Sequence, residues 1–119
     1  MSTIIEIESH IQALVESALE NSHYRRLPPN PEWPAAIWNV ASEPEPQWSV
    51  GGGYDQHDVD IFVLVRDPDD FAQIMQAIRT ALESGEYYQF EESSGDSEYE
   101  DDPEVYVKYL IVRFRTPRY

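Results

Sequence analysis

The sequence contains no cysteine, few basic residues and no long apolar run. The absence of cysteine excludes disulfides, thiol nucleophiles and thiolate metal ligands, and it fits a reducing compartment. No stretch approaches the roughly 20 apolar residues that a membrane-spanning helix needs, and the first residues lack the basic and apolar regions of a signal peptide. These absences predict a protein that is made and used in a cytoplasm.

The 119 residues carry only 8 Lys and Arg against 23 Asp and Glu, which gives a net charge of −15. Because phosphate binding needs clustered basic side chains, this balance disfavours direct binding to nucleic acid and to an anionic membrane surface. Hydrophobic residues make up 41% of the chain and aromatic residues 13%, a composition typical of a protein with a real core. The length predicts one domain, residues 1–119.

Two segments have the periodicity of amphipathic helices. Apolar residues recur on one helical face in residues 3–20 and again in residues 68–84. The second segment also carries end signals, because Asp67 suits the N-cap and Pro68 the first helical position. Gly85 stands where a left-handed C-cap belongs.

Four segments predict β-strands: residues 35–42, 48–66, 86–91 and 105–116. The second of them begins with alternating polar and apolar residues and ends apolar throughout, which predicts one exposed face that becomes buried along the strand. The order α-β-β-α-β-β predicts an α+β fold, a two-layer sandwich in which a mainly antiparallel sheet of about four strands packs against two helices.

Two further segments predict irregular structure. Residues 21–34 contain four prolines and read as an extended linker. Residues 91–104 contain eight acidic residues and no base, which predicts a mobile, solvated loop. Clustered carboxylates leave weak binding of a divalent cation open, although the loop does not fit the EF-hand pattern.

The sequence offers no recognisable catalytic, cofactor or metal site. The triple glycine at 51–53 lacks the Lys and Ser/Thr of a phosphate loop and precedes no helix. His57 lies between two aspartates without a nucleophile beside it, and His10 and His23 have no partners at metal-ligand spacing. All three histidines are predicted to be surface or interface residues, and no cofactor is expected.

The three tryptophans cluster around the proline-rich region. Trp38 lies within a predicted strand and is expected in the core. Trp33 and Trp48 stand beside prolines or loops, where an exposed tryptophan suits a protein interface.

The arrangement of the elements resembles that of a known family. The resemblance rests on a short first helix, a proline-rich linker and four segments: 33–40 (WPAAIWNV), 59–65 (VDIFVLV), 69–78 (DDFAQIMQAI) and 106–114 (YVKYLIVRF). This order, over nearly the whole chain, is similar to that of the tail-completion, or tail-terminator, proteins of long-tailed bacteriophages.

The resemblance implies a structural virion protein without catalytic residues. Members of this family form a hexameric ring that caps the tail tube, ends its growth and joins the tail to the head-completion or connector protein. A ring of such acidic subunits would have a negative channel, through which DNA passes without binding. The expected partners are therefore other copies of the chain, the tail tube protein and the head connector.

Ring closure requires two different surfaces on each subunit. The candidate interface residues are aromatic residues of the linker and loops, acidic residues of 91–104 and arginines near the C-terminus: Trp33, Trp48, Glu98, Glu100, Asp101, Asp102, Arg113, Arg115 and Arg118. The arginines are expected to pair with the acidic loop of a neighbouring subunit, in an interaction that high salt weakens.

Two other functions remain open at this point. The chain is either another neck or connector protein of a phage, or an acidic module that masks a basic partner by imitating DNA. The second alternative predicts a monomer that binds tightly to a basic protein. A small hydrolase is disfavoured because no nucleophile, base and orienting group converge in any motif.

Overall fold

A computed structural model describes residues 4–44 and 53–118. The elements are two helices, five strands and one 3-10 turn: α1 Ile4–Ala18, β1 Ser22–Tyr24, β2 Ala35–Pro44, β3 Gly53–Val65, the turn Pro68–Asp70, α2 Phe71–Glu83, β4 Tyr88–Glu98 and β5 Tyr106–Arg118. Helices and a sheet of this kind confirm the predicted α+β class.

The five strands form one sheet in the order β1-β2-β3-β5-β4. β1 pairs with β2 in parallel, whereas the other three pairs are antiparallel. The central strands β3 and β5 pair along their whole length, from Gly53 opposite Arg118 to Val65 opposite Tyr106. The mainly antiparallel sheet matches the prediction, but it has five strands instead of about four.

Both helices pack on one face of the sheet, which we call the covered face. Side chains at alternate positions of β2, β3 and β5 meet the apolar stripes of α1 and α2 in one buried cluster, which includes Ile7, Ile11, Val15, Trp38, Val59, Ile61, Val63, Met75, Ile78, Leu82, Leu110, Val112 and Phe114. Removal of these side chains from water is the main force that holds the helices on the sheet.

The opposite side, which we call the open face, has no helix on it and divides into two halves. At one end, Leu64 and Val107 are buried beneath Leu27 and Trp33 of the segment before β2 and Tyr99 of the β4–β5 turn. At the other end, polar residues replace the apolar ones. β3 therefore changes from exposed to buried on this face, as its sequence predicts.

Two regions differ from the sequence prediction. The expected linker 21–34 contains the short edge strand β1, and the expected acidic loop 91–104 is strand as far as Glu98. The prediction of a mobile loop is wrong for residues 91–98, because β4 is an edge strand whose backbone pairs with β5 while its side chains remain in water. An edge strand tolerates a run of charge that a central strand would exclude.

The ends of α2 are formed partly as predicted. Asp67 accepts a hydrogen bond from the backbone N–H of Asp69 at 3.0 Å and so caps the turn that leads into α2. Gly85 is not the left-handed C-cap that the sequence indicates. Its role is close packing between the helices, because a Cβ at this position would lie 2.5 Å from Cδ1 of Leu14.

Candidate assembly surfaces

The polar half of the open face carries a small charge network. Arg113 of β5 donates to Asp58 of β3 at 3.2 Å and to Glu92 of β4 at 2.6 Å. Asp58 and Arg113 are direct partners in the strand register, so the sheet itself sets their approach. One guanidinium thus links three adjacent strands.

Two carboxyl groups of this half have a raised pKa. Burial, and then the charge of Asp58, raises the pKa of Asp60 above its usual range. The pKa of Glu92 is also raised, first by desolvation and then by repulsion from Asp58, which outweigh the opposing effect of Arg113. The surface therefore holds more negative charge than its one arginine neutralises, and a cationic partner would relieve the repulsion.

Exposed aromatic rings flank the network. Tyr54 is 44% exposed and Phe90 47% exposed. The guanidinium of Arg115 lies 3.9 Å from the centre of the Tyr54 ring, and that of Arg113 lies 5.3 Å from the centre of the Phe90 ring. Aromatic and arginine side chains are enriched in protein interfaces, so this half combines residue types that suit assembly. Sequence reasoning did not select Tyr54 or Phe90, because their alternation with buried neighbours is visible only in the strand register.

The outer strand β4 and the turn that follows it form a second acidic surface. Along β4, Glu91 pairs with Arg79 at 2.9 Å and Asp96 with Lys108 at 2.7 Å. In the turn, Asp102 pairs with Arg66 at 2.8 Å.

The remaining predicted acidic residues of this surface point into solvent. Glu98, Glu100 and Asp101 are exposed, and none forms an ion pair with a base in the described parts of the chain. These three carboxylates are therefore available to a partner, which agrees with their selection from the sequence.

The tryptophans occupy different environments. Trp38 is 1% exposed, and its indole N–H donates to Oε1 of Gln12 at 2.6 Å, so its expected place in the core is confirmed. Trp33 is half-buried and meets the ring of Tyr99 edge-on at 5.6 Å. It closes the apolar end of the open face and retains only part of its surface for a partner. Trp48 lies outside the described residues.

The predicted surface position of His57 is wrong. This side chain is 1% exposed, and its Nδ1 and Nε2 lie 2.6 Å from Oγ of Ser42 and 2.8 Å from Oγ1 of Thr116. Burial lowers the pKa of His57 below its usual value, against the opposing effect of Asp55 and Asp58. The ring joins three neighbouring strands and is satisfied by hydroxyl groups, which identifies it as a structural residue of the core.

The C-terminal arginines act first within their own chain. Arg113 is held by Asp58 and Glu92, and Arg115 lies over Tyr54. The side chain of Arg118 lies outside the described part of the structure. Pairing of these arginines with a neighbouring acidic loop stays a prediction.

Neither a metal site nor a membrane span is found in the described residues. No group of three or more His, Asp or Glu side chains in residues 4–44 and 53–118 is arranged to hold a metal ion. No helix in the same ranges is long and apolar enough to cross a membrane. What the surfaces offer is charge, exposed aromatic rings and an unpaired strand edge, which are features of a protein that assembles with others.

Comparison with known proteins identifies the class. The family described as tail completion protein gp17 matches residues 8–116. A solved chain from the virion of a native gene transfer agent particle shares the fold, with a TM-score of 0.65 and 12% identity over 98% of this chain and 99% of that chain. No curated protein matches the sequence.

The match to the family covers nearly all of the described sequence, so the chain belongs to the tail completion protein gp17 family. It is therefore a structural protein of the phage tail and a component of a phage-like virion.

Proposed function

We propose that this protein closes into a ring at the end of the phage tail tube, ends the growth of the tube and joins the tail to the head connector. The observation that carries the proposal is membership of the tail completion family over residues 8–116. The surfaces agree with it, because the exposed carboxylates and aromatic rings lie on the open face and on β4, away from the helix-covered core.

The ring is expected to be hexameric, as the resemblance to tail terminators implies. Cyclic rings are built from head-to-tail contacts between two different surfaces of each subunit. With a net charge of −15 per chain, the assembled ring has a strongly negative field that repels the phosphates of passing DNA. In this function the protein works by shape and binding and not by catalysis, and DNA passes through the channel without specific contacts.

The two ends of the ring have different partners. One end binds the tail tube protein and prevents another tube subunit from adding, while the other end offers a surface to the head-completion or connector protein. The exposed carboxylates Glu98, Glu100 and Asp101 and the partly exposed Trp33 are the proposed contact residues, because each is accessible in the single chain.

Deletion of the gene from the phage or particle-forming genome that encodes it tests this function. Electron microscopy of the lysate is expected to show filled heads separated from tails, with tail tubes of uneven and excessive length. Expression of the wild-type chain from a plasmid should restore joined particles and a uniform tube length.

Other results would indicate the alternative functions. Tubes of normal length that fail to join heads would indicate a different neck or connector protein. Normal particles, together with a tight complex between the isolated chain and a basic protein, would indicate an acidic inhibitor and would contradict a structural function in the tail.

A further inference from the structure

A groove lies between the start of α2 and the far end of the β4–β5 hairpin. It has a volume of about 650 Å³, and its lining includes Phe71, Pro68 and Tyr106, with Glu98 and Glu100 beside them. Tyr106 is 50% exposed, the largest exposure among the large hydrophobic residues of the described chain. The groove therefore combines an apolar, aromatic floor with a negatively charged rim.

The opposite edge of the sheet carries the complementary chemistry. Directly after β1, Arg25 and Arg26 are exposed, and neither forms an ion pair with a carboxylate in the described residues. Pro28 and Pro29 follow them and are also exposed. Proline-rich segments with flanking bases bind aromatic grooves with acidic rims, because prolines lose little conformational entropy on binding.

The topology prevents Arg25 from reaching the groove of its own chain. The backbone N–H of Arg25 donates to Trp38 at 2.8 Å, which fixes it beside β1 and β2, while β4 is the other edge of the sheet. Four strand spacings separate the two edges, a distance of about 19 Å. A contact between Arg25 and the groove therefore has to join two copies, and since it uses two different surfaces, it is of the head-to-tail kind that closes rings.

We propose that the segment Arg25–Pro29 of one subunit binds in the groove between α2 and the β4–β5 hairpin of the next subunit. The arginines face Glu98 and Glu100, while the prolines pack against Phe71 and Tyr106. This inference rests on the proposed ring and names its subunit contact. It replaces the C-terminal arginines as the cationic side of the interface, because Arg113 is already engaged within its chain.

Paired charge reversals test the contact. One variant carries Arg25→Glu and Arg26→Glu, and the other carries Glu98→Arg and Glu100→Arg. Each variant alone has two edges of the same sign, so its self-association should fall at least about tenfold relative to wild type. An equal mixture of the two should associate again, because each variant then offers the edge that the other lacks. Sedimentation velocity and native mass spectrometry measure both effects.

A control variant separates local from general charge effects. Glu16→Arg with Glu20→Arg makes the same change in net charge at two exposed positions at the end of α1, outside the groove. This variant should associate like wild type and should not rescue the Arg25 and Arg26 variant. Rescue by the control, or failure of the mixture to associate, would overturn the proposed contact.

Zero-length cross-linking locates the contact directly. The chain has a single lysine, Lys108, whose ammonium lies 2.7 Å from Asp96. A carbodiimide should link this pair within one chain, which serves as an internal control. In a variant with Arg25→Lys and Arg26→Lys, the introduced amines should link to the peptide that contains Glu98 and Glu100, and only between chains.

The outcomes distinguish this contact from the proposed function. Absence of any link from the introduced amines at the highest soluble concentration, or links to other peptides alone, would overturn the contact. If rings form through the groove but tube length in the phage does not depend on the gene, the contact stands and the terminator function fails. If the charge reversals leave tube length and assembly unchanged while deletion does not, the function stands and the contact fails.

Discussion

The two faces of the sheet have the same strands but different cover. On the covered face, alternate side chains of β3 and β5 are buried by two helices along most of their length. On the open face, the same strands are buried only where Leu27, Trp33 and Tyr99 reach over them, and elsewhere they present Asp58, Asp60 and Arg113. The comparison indicates a division of labour, in which one face stabilises the subunit and the other, with the edges, is available for assembly.

The largest expected effect comes from Trp38 on the covered face. Replacement by alanine should lower the free energy of unfolding by about 3–5 kcal/mol, because it leaves a cavity and an unpaired Gln12. Denaturant unfolding measures the change. Asn39→Ala, at the exposed neighbouring position, is the matched control and should cost less than about 0.5 kcal/mol. Similar costs for the two variants would contradict the division between the faces.

The apolar end of the open face should give a smaller effect. Trp33 is half-buried against a cluster that includes Leu64 and Tyr99, so Trp33→Ala should lower the free energy of unfolding by about 1–2 kcal/mol. Trp33→Phe should retain part of this stability. A cost near zero would mean that the segment before β2 does not cover the sheet in solution.

His57 should make stability depend on pH. Burial lowers the pKa of the folded-state imidazole below its ordinary value of 6.5, so the unfolded chain binds a proton first as the pH falls. Stability is therefore lost as the pH falls from 6.5 through the folded-state pKa, at up to about 1.4 kcal/mol per pH unit. His57→Gln should remove this loss, whereas His23→Gln should not. Parallel pH profiles for wild type and His57→Gln would contradict the burial of His57.

Removal of one charge from the polar half should stabilise the subunit. The pKa of Asp60 is raised, so its charged form costs stability at neutral pH. Asp60→Asn should therefore increase the free energy of unfolding at pH 7 by less than about 1 kcal/mol, and the gain should vanish when the pH falls below the ordinary carboxyl pKa. Asp69→Asn, at the start of the turn before α2, is the control and should be slightly destabilising. A loss of stability in Asp60→Asn would show that its carboxylate is favourably paired.

The smallest effect is expected at the β4 edge. Asp96 is 81% exposed in its ion pair with Lys108, so water and salt screen the attraction. A double-mutant cycle with alanine at both positions should give a coupling energy below about 0.5 kcal/mol. A coupling above 1 kcal/mol, in the isolated chain, would mean that this edge is ordered more tightly than its exposure indicates.

Much of the fold follows from periodicity. The stripe of α2, the cap at Asp67 and the change of β3 from polar to apolar are local patterns, and each appears in the structure where the sequence places it. Trp38 in the core follows from the same reasoning, since it lies within a strand of apolar neighbours.

The β4 strand and His57 were not predictable in this way. Composition makes residues 91–98 resemble a solvated loop, because strand formation there depends on backbone pairing with β5, about a dozen residues away in register. His57 lies between aspartates in the sequence, yet its burial depends on Ser42 and Thr116, which lie on two other strands. Local patterns carry no information about partners of this kind.

The sequence by itself determined the class of the fold, the two amphipathic helices, the long central strands and the strong excess of negative charge, because these depend on residue types and short-range spacing. Only the tertiary structure decided which carboxylates are paired, which arginines are already engaged and which edge each charge lies on. Those properties depend on strand order and register, which bring together residues that are distant in the chain.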